Sequence, residues 1–129
     1  MNYFDIQAEP GTILNLNSLA LAYLGDAVYE LMVRSRLCLN GIPTSKKLHQ
    51  AALSYVAAPA QAEAAQTIQP LFTSEEQDVF RRGKNTHTAA IPQNASREEY
   101  RIATGLEALF GWLYLNGRKD RLCQLFDRI

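Results

Sequence analysis

The stretch from Leu19 to Glu30 constrains the fold and function of this chain more than any other. It is mostly apolar, as in the middle of a long helix, yet it contains a glycine and two carboxylates. Asp26 and Glu30 are four residues apart, so a helix places them on one face. Gly25 costs about 1 kcal/mol relative to alanine inside a helix. Because glycine has no side chain, we expect another backbone or a bulky ligand to approach closely beside Asp26.

Two interpretations of these acids are open. Acids in an apolar helix, next to a glycine, are typical of a functional site. Alternatively, Asp26 lies on the polar stripe of an amphipathic helix, and Glu30 pairs with Arg34 four residues later.

Local signals along the rest of the chain predict helices and no strand. Residues 1–15 are expected to form an irregular arm, because Pro10 and Gly11 break regular structure, and residues 16–129 a single domain. Capping boxes at Thr73–Glu76 and Ser96–Glu99 each open a helix, and a polar loop extends to Pro92. The predicted helices span about 17–38, 45–56 after Thr44 as N-cap, 59–70 with Pro59 first, 74–82, 97–115 and 118–128. This pattern favours an all-α bundle of six or seven helices.

A second acid lies on the second long predicted helix, on a face made largely of small residues. Small residues let another helix approach, so Glu107 would point into the contact. Carboxylates that face each other across a bundle are costly without a cation, and Mg²⁺ with oxygen ligands is suited to them. Alternatively, Glu107 pairs with a basic residue or faces solvent. The residues of this face are Tyr100, Ala103, Thr104, Glu107, Gly111 and Tyr114.

Composition excludes several classes of protein. The formal net charge is zero, so a nucleic acid would have to bind at local basic patches. No stretch has the length of a membrane span, and the first residues lack the features of a signal peptide. The two cysteines lack metal-ligand spacing, and buried, reduced thiols in an intracellular protein are expected.

Two basic clusters are candidates for binding phosphate, with ordinary solvated surface as the alternative. In the first, Gly83 is expected to allow a tight turn from helix to loop. The second lies at a helix N-terminus, which favours anions. The first cluster consists of Arg81, Arg82, Lys84 and Asn85. The second consists of Lys46, Lys47 and His49.

Two motifs carry a resemblance to a known family. The run Leu24–Val28 (Leu-Gly-Asp-Ala-Val) resembles the signature of the ribonuclease III catalytic domain, and the run Thr104–Leu115 resembles its second acidic motif. The segments Leu19–Glu30, Arg81–Asn85 and Tyr100–Glu107 are most similar to the bacterial and plastid branch that lacks a double-stranded-RNA-binding domain. The resemblance covers about residues 16–125.

The chain departs from full-length members of that family at three positions. It has Leu19 and Ala22 where they have two further glutamates, and Thr104 where they have an aspartate. Asp26 and Glu107 remain, so a metal site would need further ligands. Waters and RNA phosphate oxygens would supply them, and Glu30 is a further candidate. The branch without the RNA-binding domain is similar at these positions, which favours that branch over an inactive enzyme.

The resemblance implies a Mg²⁺-dependent endoribonuclease, with Mn²⁺ able to substitute, that cuts double-stranded RNA to 5′-phosphate and 3′-hydroxyl ends. Asp26 and Glu107 would be the catalytic residues and metal ligands, both ionised at working pH. Gly25, Glu30 and Thr104 would support them.

The resemblance also implies a biological setting. The expected substrate is the terminal stem of the 23S rRNA precursor, and the expected active form is a homodimer in the bacterial cytoplasm or a plastid. A ribosomal-protein helper is left open. Two alternatives remain: a catalytically silent, ribosome-associated RNA-binding domain of the same fold, and a helical interaction module whose acids are structural.

Overall fold

Every regular element in the computed structural model, which describes residues 1–86 and 95–129, is a helix. These residues form seven α-helices, which confirms the all-α class. The predicted polar loop lies outside the described residues from position 87 onward. The helices are α1 (Pro10–Leu14), α2 (Ser18–Leu39), α3 (Ser45–Val56), α4 (Ala58–Ile68), α5 (Ser74–Lys84), α6 (Arg97–Leu115) and α7 (Lys119–Phe126).

Capping residues begin the helices where the sequence predicts. Asn17 and Thr44 each accept a hydrogen bond from the backbone amide of the third residue of the helix that follows. Both capping boxes are formed, with Glu76 and Glu99 each accepting from the N-cap amide at 2.9 Å. Pro59 is the second residue of α4 rather than the first. Helix boundaries are therefore set mainly by contacts within a few residues.

The N-terminal segment is more regular than the predicted irregular arm. Pro10, which was expected to break regular structure, is the first residue of α1, where the amide that proline lacks is not needed. The chain before α1 is attached to the end of α6, since the Ala8 amide donates to the Leu115 carbonyl at 2.8 Å. Lys119 also pairs with Asp5 at 2.9 Å. The division into arm and domain stays a prediction.

Helix α6 lies at the centre of the bundle, in contact with α2, α4, α5 and α7. The side chains of Leu106, Leu109, Phe110 and Leu113 have no exposed surface. Tyr29 of α2 packs edge-on against Phe110, with ring centroids 5.3 Å apart. Helices α2 and α5, which carry Asp26 and the first basic cluster, are thus assembled around the helix that carries Glu107, whereas α3 packs on α2 and α4.

The cysteines differ from the prediction. Cys38 and Cys123 are free but exposed, because they lie on the solvent-facing sides of α2 and α7.

Over the two described ranges, no helix combines the length and hydropathy needed to cross a membrane.

A buried ion pair that the sequence did not predict joins α5 to α7. Glu76 is 1% exposed and accepts two hydrogen bonds from Arg121, each 2.8 Å long. Arg121 also donates to the Leu71 carbonyl at 2.7 Å. Burial alone would raise the pKa of the Glu76 carboxyl, but hydrogen bonds from Arg121 and Thr73 hold it below its usual value. The pair fixes the first turn of α5, the helix whose other end carries the basic run.

Candidate active site

Helices α2 and α6 cross in backbone contact at two glycines. A Cβ atom on Gly25 would lie 1.6 Å from the Glu107 carbonyl oxygen and 2.7 Å from the Gly111 amide nitrogen. A Cβ atom on Gly111 would lie 2.1 Å from the Leu21 carbonyl oxygen. The two helices therefore approach more closely than any side chain at these positions would allow. The expected close neighbour beside Asp26 is the backbone of α6.

This crossing brings Asp26 and Glu107 together. Asp26 directly follows Gly25 and is exposed on α2, whereas Glu107 on α6 is half-buried. The two carboxyl groups are close enough to form a hydrogen bond when one of them carries a proton. Two acids that are far apart in the sequence thus form one pair, open to solvent on the Asp26 side.

The pKa of Glu107 is raised to about 8. Burial is the largest cause, the charge of Asp26 and a hydrogen bond with it raise the pKa further, and the Gln61 side chain lowers it. Without a cation, Glu107 therefore holds a proton near neutral pH, whereas the expectation that both acids are ionised in the working, metal-bound enzyme stays a prediction. A bound cation would displace this proton, because metal ligands must be deprotonated.

We expect the metal-free protein to lose stability as the pH rises from 5 to about 8, and Glu107→Gln to remove most of this loss. Glu107 ionises near its ordinary value of 4.5 when unfolded and near 8 when folded. Between these values the folded state binds the extra proton, so rising pH favours unfolding. Melting temperatures across this range measure the effect. Glu63→Gln, at an exposed acid on α4, should keep the wild-type slope, and equal slopes for all three proteins would contradict the raised pKa.

Gln61 also contacts the acidic pair, and the sequence did not predict this contact. It lies on α4, is 2% exposed, and its side-chain amide faces Glu107. A glutamine on the buried face of an alanine-rich helix is the signal that could have identified it, since buried amides need polar partners. The contact itself depends on how α4 packs on α6, which spacing along the chain does not reveal.

The other predicted supporting side chains have partners elsewhere. Glu30 accepts a hydrogen bond from Arg34 at 2.7 Å, which is the ion pair left open by the sequence. The buried Thr104 hydroxyl donates to the Tyr100 carbonyl at 2.9 Å. Among residues 1–86 and 95–129, no three or more His, Cys, Asp or Glu side chains converge on one point. Glu30 therefore does not join Asp26 and Glu107 as a third ligand in this structure.

The donor atoms of the pair fit a hard divalent cation. Mg²⁺ is usually held by one or two carboxylates and keeps waters that phosphate oxygens can replace. Asp26 and Glu107 supply only oxygen, and a cation between them would offset the repulsion that helps to raise the Glu107 pKa.

Acidic neighbours accompany the basic run at the end of α5. Arg81 and Arg82 both pair with Asp78, one turn earlier. Lys84 pairs with Glu98 of α6 at 3.1 Å. The run is therefore less positive than its sequence suggests, and an anionic ligand would compete with these acids.

Gly83 does not form the predicted helix-to-loop turn. It is buried within α5, which continues to Lys84 and is capped by Asn85. A Cβ atom on Gly83 would lie 2.7 Å from the Ala108 Cβ and 3.0 Å from the Gly105 Cα. Glycine at this position therefore allows α5 to lie directly against α6.

The second basic cluster lies on a different element. Lys46, Lys47 and His49 are exposed on the first turns of α3. His49 also lines a groove of about 310 Å³ between α2 and α3, together with Glu30. Helix α3 packs on α2 and α4, whereas α5 packs mainly on α6, so a continuous phosphate-binding stripe stays a prediction.

A family model, curated relatives and a solved structure all match most of this chain. The Ribonuclease III domain family matches residues 19–118. Mini-ribonuclease 3 of Symbiobacterium thermophilum is 47% identical over 114 residues, which cover 88% of each chain. Mini-ribonuclease 3 of Brevibacillus brevis is 42% identical over 87% of this chain and 84% of the relative. A crystal structure of a protein from Fusobacterium nucleatum superposes with a TM-score of 0.82 at 27% identity, over 88% of this chain and 92% of that one.

Proposed function

Since the chain belongs to the ribonuclease III family and is an endoribonuclease, we propose that it cuts double-stranded RNA at a Mg²⁺ site held by Asp26 and Glu107. The observation that carries this proposal is the crossing of α2 and α6, which pairs the acids of the two family motifs. Mn²⁺ would occupy the same oxygen ligands. Gly25 belongs to the proposed site because it permits the crossing.

The residues of the chain would prepare the site for the metal and the substrate. Asp26 and Glu107 lie on helices in direct backbone contact, so the spacing of the backbone positions that carry their carboxylates is set before substrate binds. Gln61 contacts Glu107 from its buried side, which leaves the exposed Asp26 side for RNA. When bound, Mg²⁺ supplies positive charge for the scissile phosphate and lowers the pKa of a coordinated water.

Cleavage of a plain RNA duplex by the purified protein tests this function. We expect cutting in Mg²⁺ or Mn²⁺, none in excess chelator, and products with 5′-phosphate and 3′-hydroxyl ends. A catalytically silent RNA-binding domain would bind the duplex without cutting it in any metal. A helical interaction module would show neither a metal response nor salt-dependent RNA binding.

The more specific parts of the proposal rest on the resemblance to the family. They are cleavage of the terminal stem of the 23S rRNA precursor, with or without a ribosomal-protein helper, and location in the cytoplasm. The relatives named above are bacterial, which favours the bacterial cytoplasm over a plastid. Cutting of precursor RNA near its mature ends, compared with shuffled stems of equal length, would test the substrate.

We also propose a homodimer, because one acidic pair must serve two strands of a duplex. An apolar stripe on α2 supports it: Leu19, Tyr23 and Leu31 are 42%, 85% and 54% exposed, and successive members are four and then eight residues apart, along one side of the helix. This stripe runs beside Asp26, and a two-fold axis through it would present two acidic pairs. A solution mass near the single-chain value of 14.4 kDa would contradict the dimer.

The basic run is proposed to bind phosphates. If Arg81, Arg82 and Lys84 contact the backbone of RNA, replacing any of them with alanine should weaken binding to all duplex sequences alike. The slope of log affinity against log salt should shrink by up to about one unit per lost contact. Arg118→Ala is the control, because this exposed arginine pairs with Glu75 at the opposite end of α5. Unchanged slopes in all variants would place the run on ordinary surface.

A further inference from the structure

Arg101 of α6 is held at three points around the end of α5. Its Nε donates to the Lys84 carbonyl at 3.1 Å, and its Nη2 donates to Asn85 Oδ1 at 2.8 Å. Its Nη1 donates to Glu98 Oε2 at 3.1 Å. All three guanidinium nitrogens thus have acceptors within the protein, although the side chain is 39% exposed.

These contacts complete the last turn of α5. The Lys84 carbonyl is among the last four of the helix, which have no partner within it and need a donor from elsewhere. A cation at this end also interacts favourably with the helix dipole. Asn85 is the C-cap residue, and its hydrogen bond to Arg101 sets the direction of its side chain. Arg101 therefore helps to set the positions of Lys84 and Asn85, the last two residues of the basic run.

The same arginine links the basic run to the acidic pair. Arg101 precedes Glu107 by less than two turns on the rigid, largely buried α6. Glu98 extends the link, since its other carboxylate oxygen pairs with the Lys84 ammonium at 3.1 Å. Gly83 packs directly on α6, and the side chains of Arg101 and Glu98 then hold the residues after it, Lys84 and Asn85, at a set distance from Glu107.

We propose that Arg101 is a positioning residue for RNA, which holds Lys84 and Asn85 at a set place relative to Glu107 and does not itself bind the substrate. The inference rests on the proposed RNA-binding role of the basic run. It requires a guanidinium, because the planar fork of arginine donates in several directions at once, whereas the ammonium of lysine acts as a single compact charge.

Arg101→Lys tests the inference, because it keeps the charge and removes the fork. We expect the KM for a duplex to rise about tenfold, as for loss of one charge-assisted contact with RNA, because Lys84 and Asn85 are no longer held in place. The kcat should stay within about twofold, since only substrate binding is lost. The salt slope should fall by no more than it does in Lys84→Ala, because the Lys84 contact is weakened while the charge at position 101 is kept. Arg97→Lys, at an exposed arginine in the first turn of α6, is the matched control and should change nothing.

Hydrogen exchange gives a readout that needs neither RNA nor metal. In Arg101→Lys, the backbone amides from Arg82 to Thr86 should exchange faster, while those around Glu107 keep wild-type protection. Faster exchange with an unchanged KM would overturn the proposal, since the end of α5 would then be loosened without effect on RNA. A wild-type KM and wild-type exchange would also overturn it.

Two further variants separate this inference from the proposed function. If Lys84→Ala and Asn85→Ala both bind duplexes as the wild type does, the RNA-binding role of the run has failed. If they bind weakly and Arg101→Lys binds normally, only the positioning role has failed. Direct phosphate contact by Arg101 would instead appear as a salt slope reduced by about one unit in Arg101→Gln, with affinity largely retained in Arg101→Lys, and would contradict the proposal.

Discussion

Cleavage should fall by about a thousandfold or more when Asp26 is replaced by asparagine or Glu107 by glutamine. Each change removes a proposed metal ligand, and a metal ion contributes several kcal/mol of transition-state stabilisation. Affinity for duplex RNA should stay close to that of the wild type, because neither acid attracts phosphate in the absence of metal. Rates in Mg²⁺ and in Mn²⁺, with binding measured separately in chelator, distinguish lost chemistry from lost affinity.

Stability provides an internal check on the same two variants. Glutamine at position 107 cannot ionise, and asparagine at position 26 carries no charge to repel Glu107, so neither variant bears the full cost of the charged pair. Melting temperatures in metal-free buffer at pH 8 or above should therefore be equal or higher. Glu30→Gln is the matched control, since Glu30 lies one turn from Asp26 on α2 but pairs with Arg34. It should keep most of the activity. Normal cleavage by Asp26→Asn or Glu107→Gln would contradict the proposed site, and a dead Glu30→Gln would add a third acid to it.

The elements that local chemistry determines were predictable from the sequence. Helix α6 begins after the Ser96 capping box and ends at Leu115, as expected, because an N-cap hydroxyl and a glycine after the helix act within a few residues. The close approach at Gly25 was also predictable, since a glycine inside an apolar helix needs a reason. That α6 supplies the neighbouring backbone follows only from the packed bundle.

Contacts between helices account for what the sequence did not reveal. Gln61 faces Glu107 and Arg121 pairs with Glu76 because of how helices pack, and no spacing along one helix encodes those pairs. Glycine is suited both to a turn and to a close contact between helices. At Gly83, next to the predicted end of the helix, the turn was predicted and was wrong. The raised pKa of Glu107 likewise needs both its burial and its neighbour.

The α2–α6 crossing should not tolerate a methyl group. In Gly25→Ala the new Cβ would lie 1.6 Å from the Glu107 carbonyl oxygen, which is backbone and cannot rotate away. The helices would have to separate, at a cost of about 3–5 kcal/mol for severe overpacking of a core contact. The better helix propensity of alanine returns only about 1 kcal/mol. Against a typical total of about 5–15 kcal/mol, much of the stability would be lost.

Urea unfolding of Gly25→Ala, Gly111→Ala and the double variant measures this loss. Gly111→Ala should be similarly destabilised, since its Cβ would meet the Leu21 carbonyl oxygen at 2.1 Å. The double variant should lose less than the sum, because either methyl group already opens the shared contact. Gly11→Ala is the control: a Cβ there has no neighbour within 4 Å, so its stability should change by no more than about 1 kcal/mol. Wild-type stability of Gly25→Ala would show that the helices do not cross in backbone contact, and the pairing of Asp26 with Glu107 would lose its structural basis.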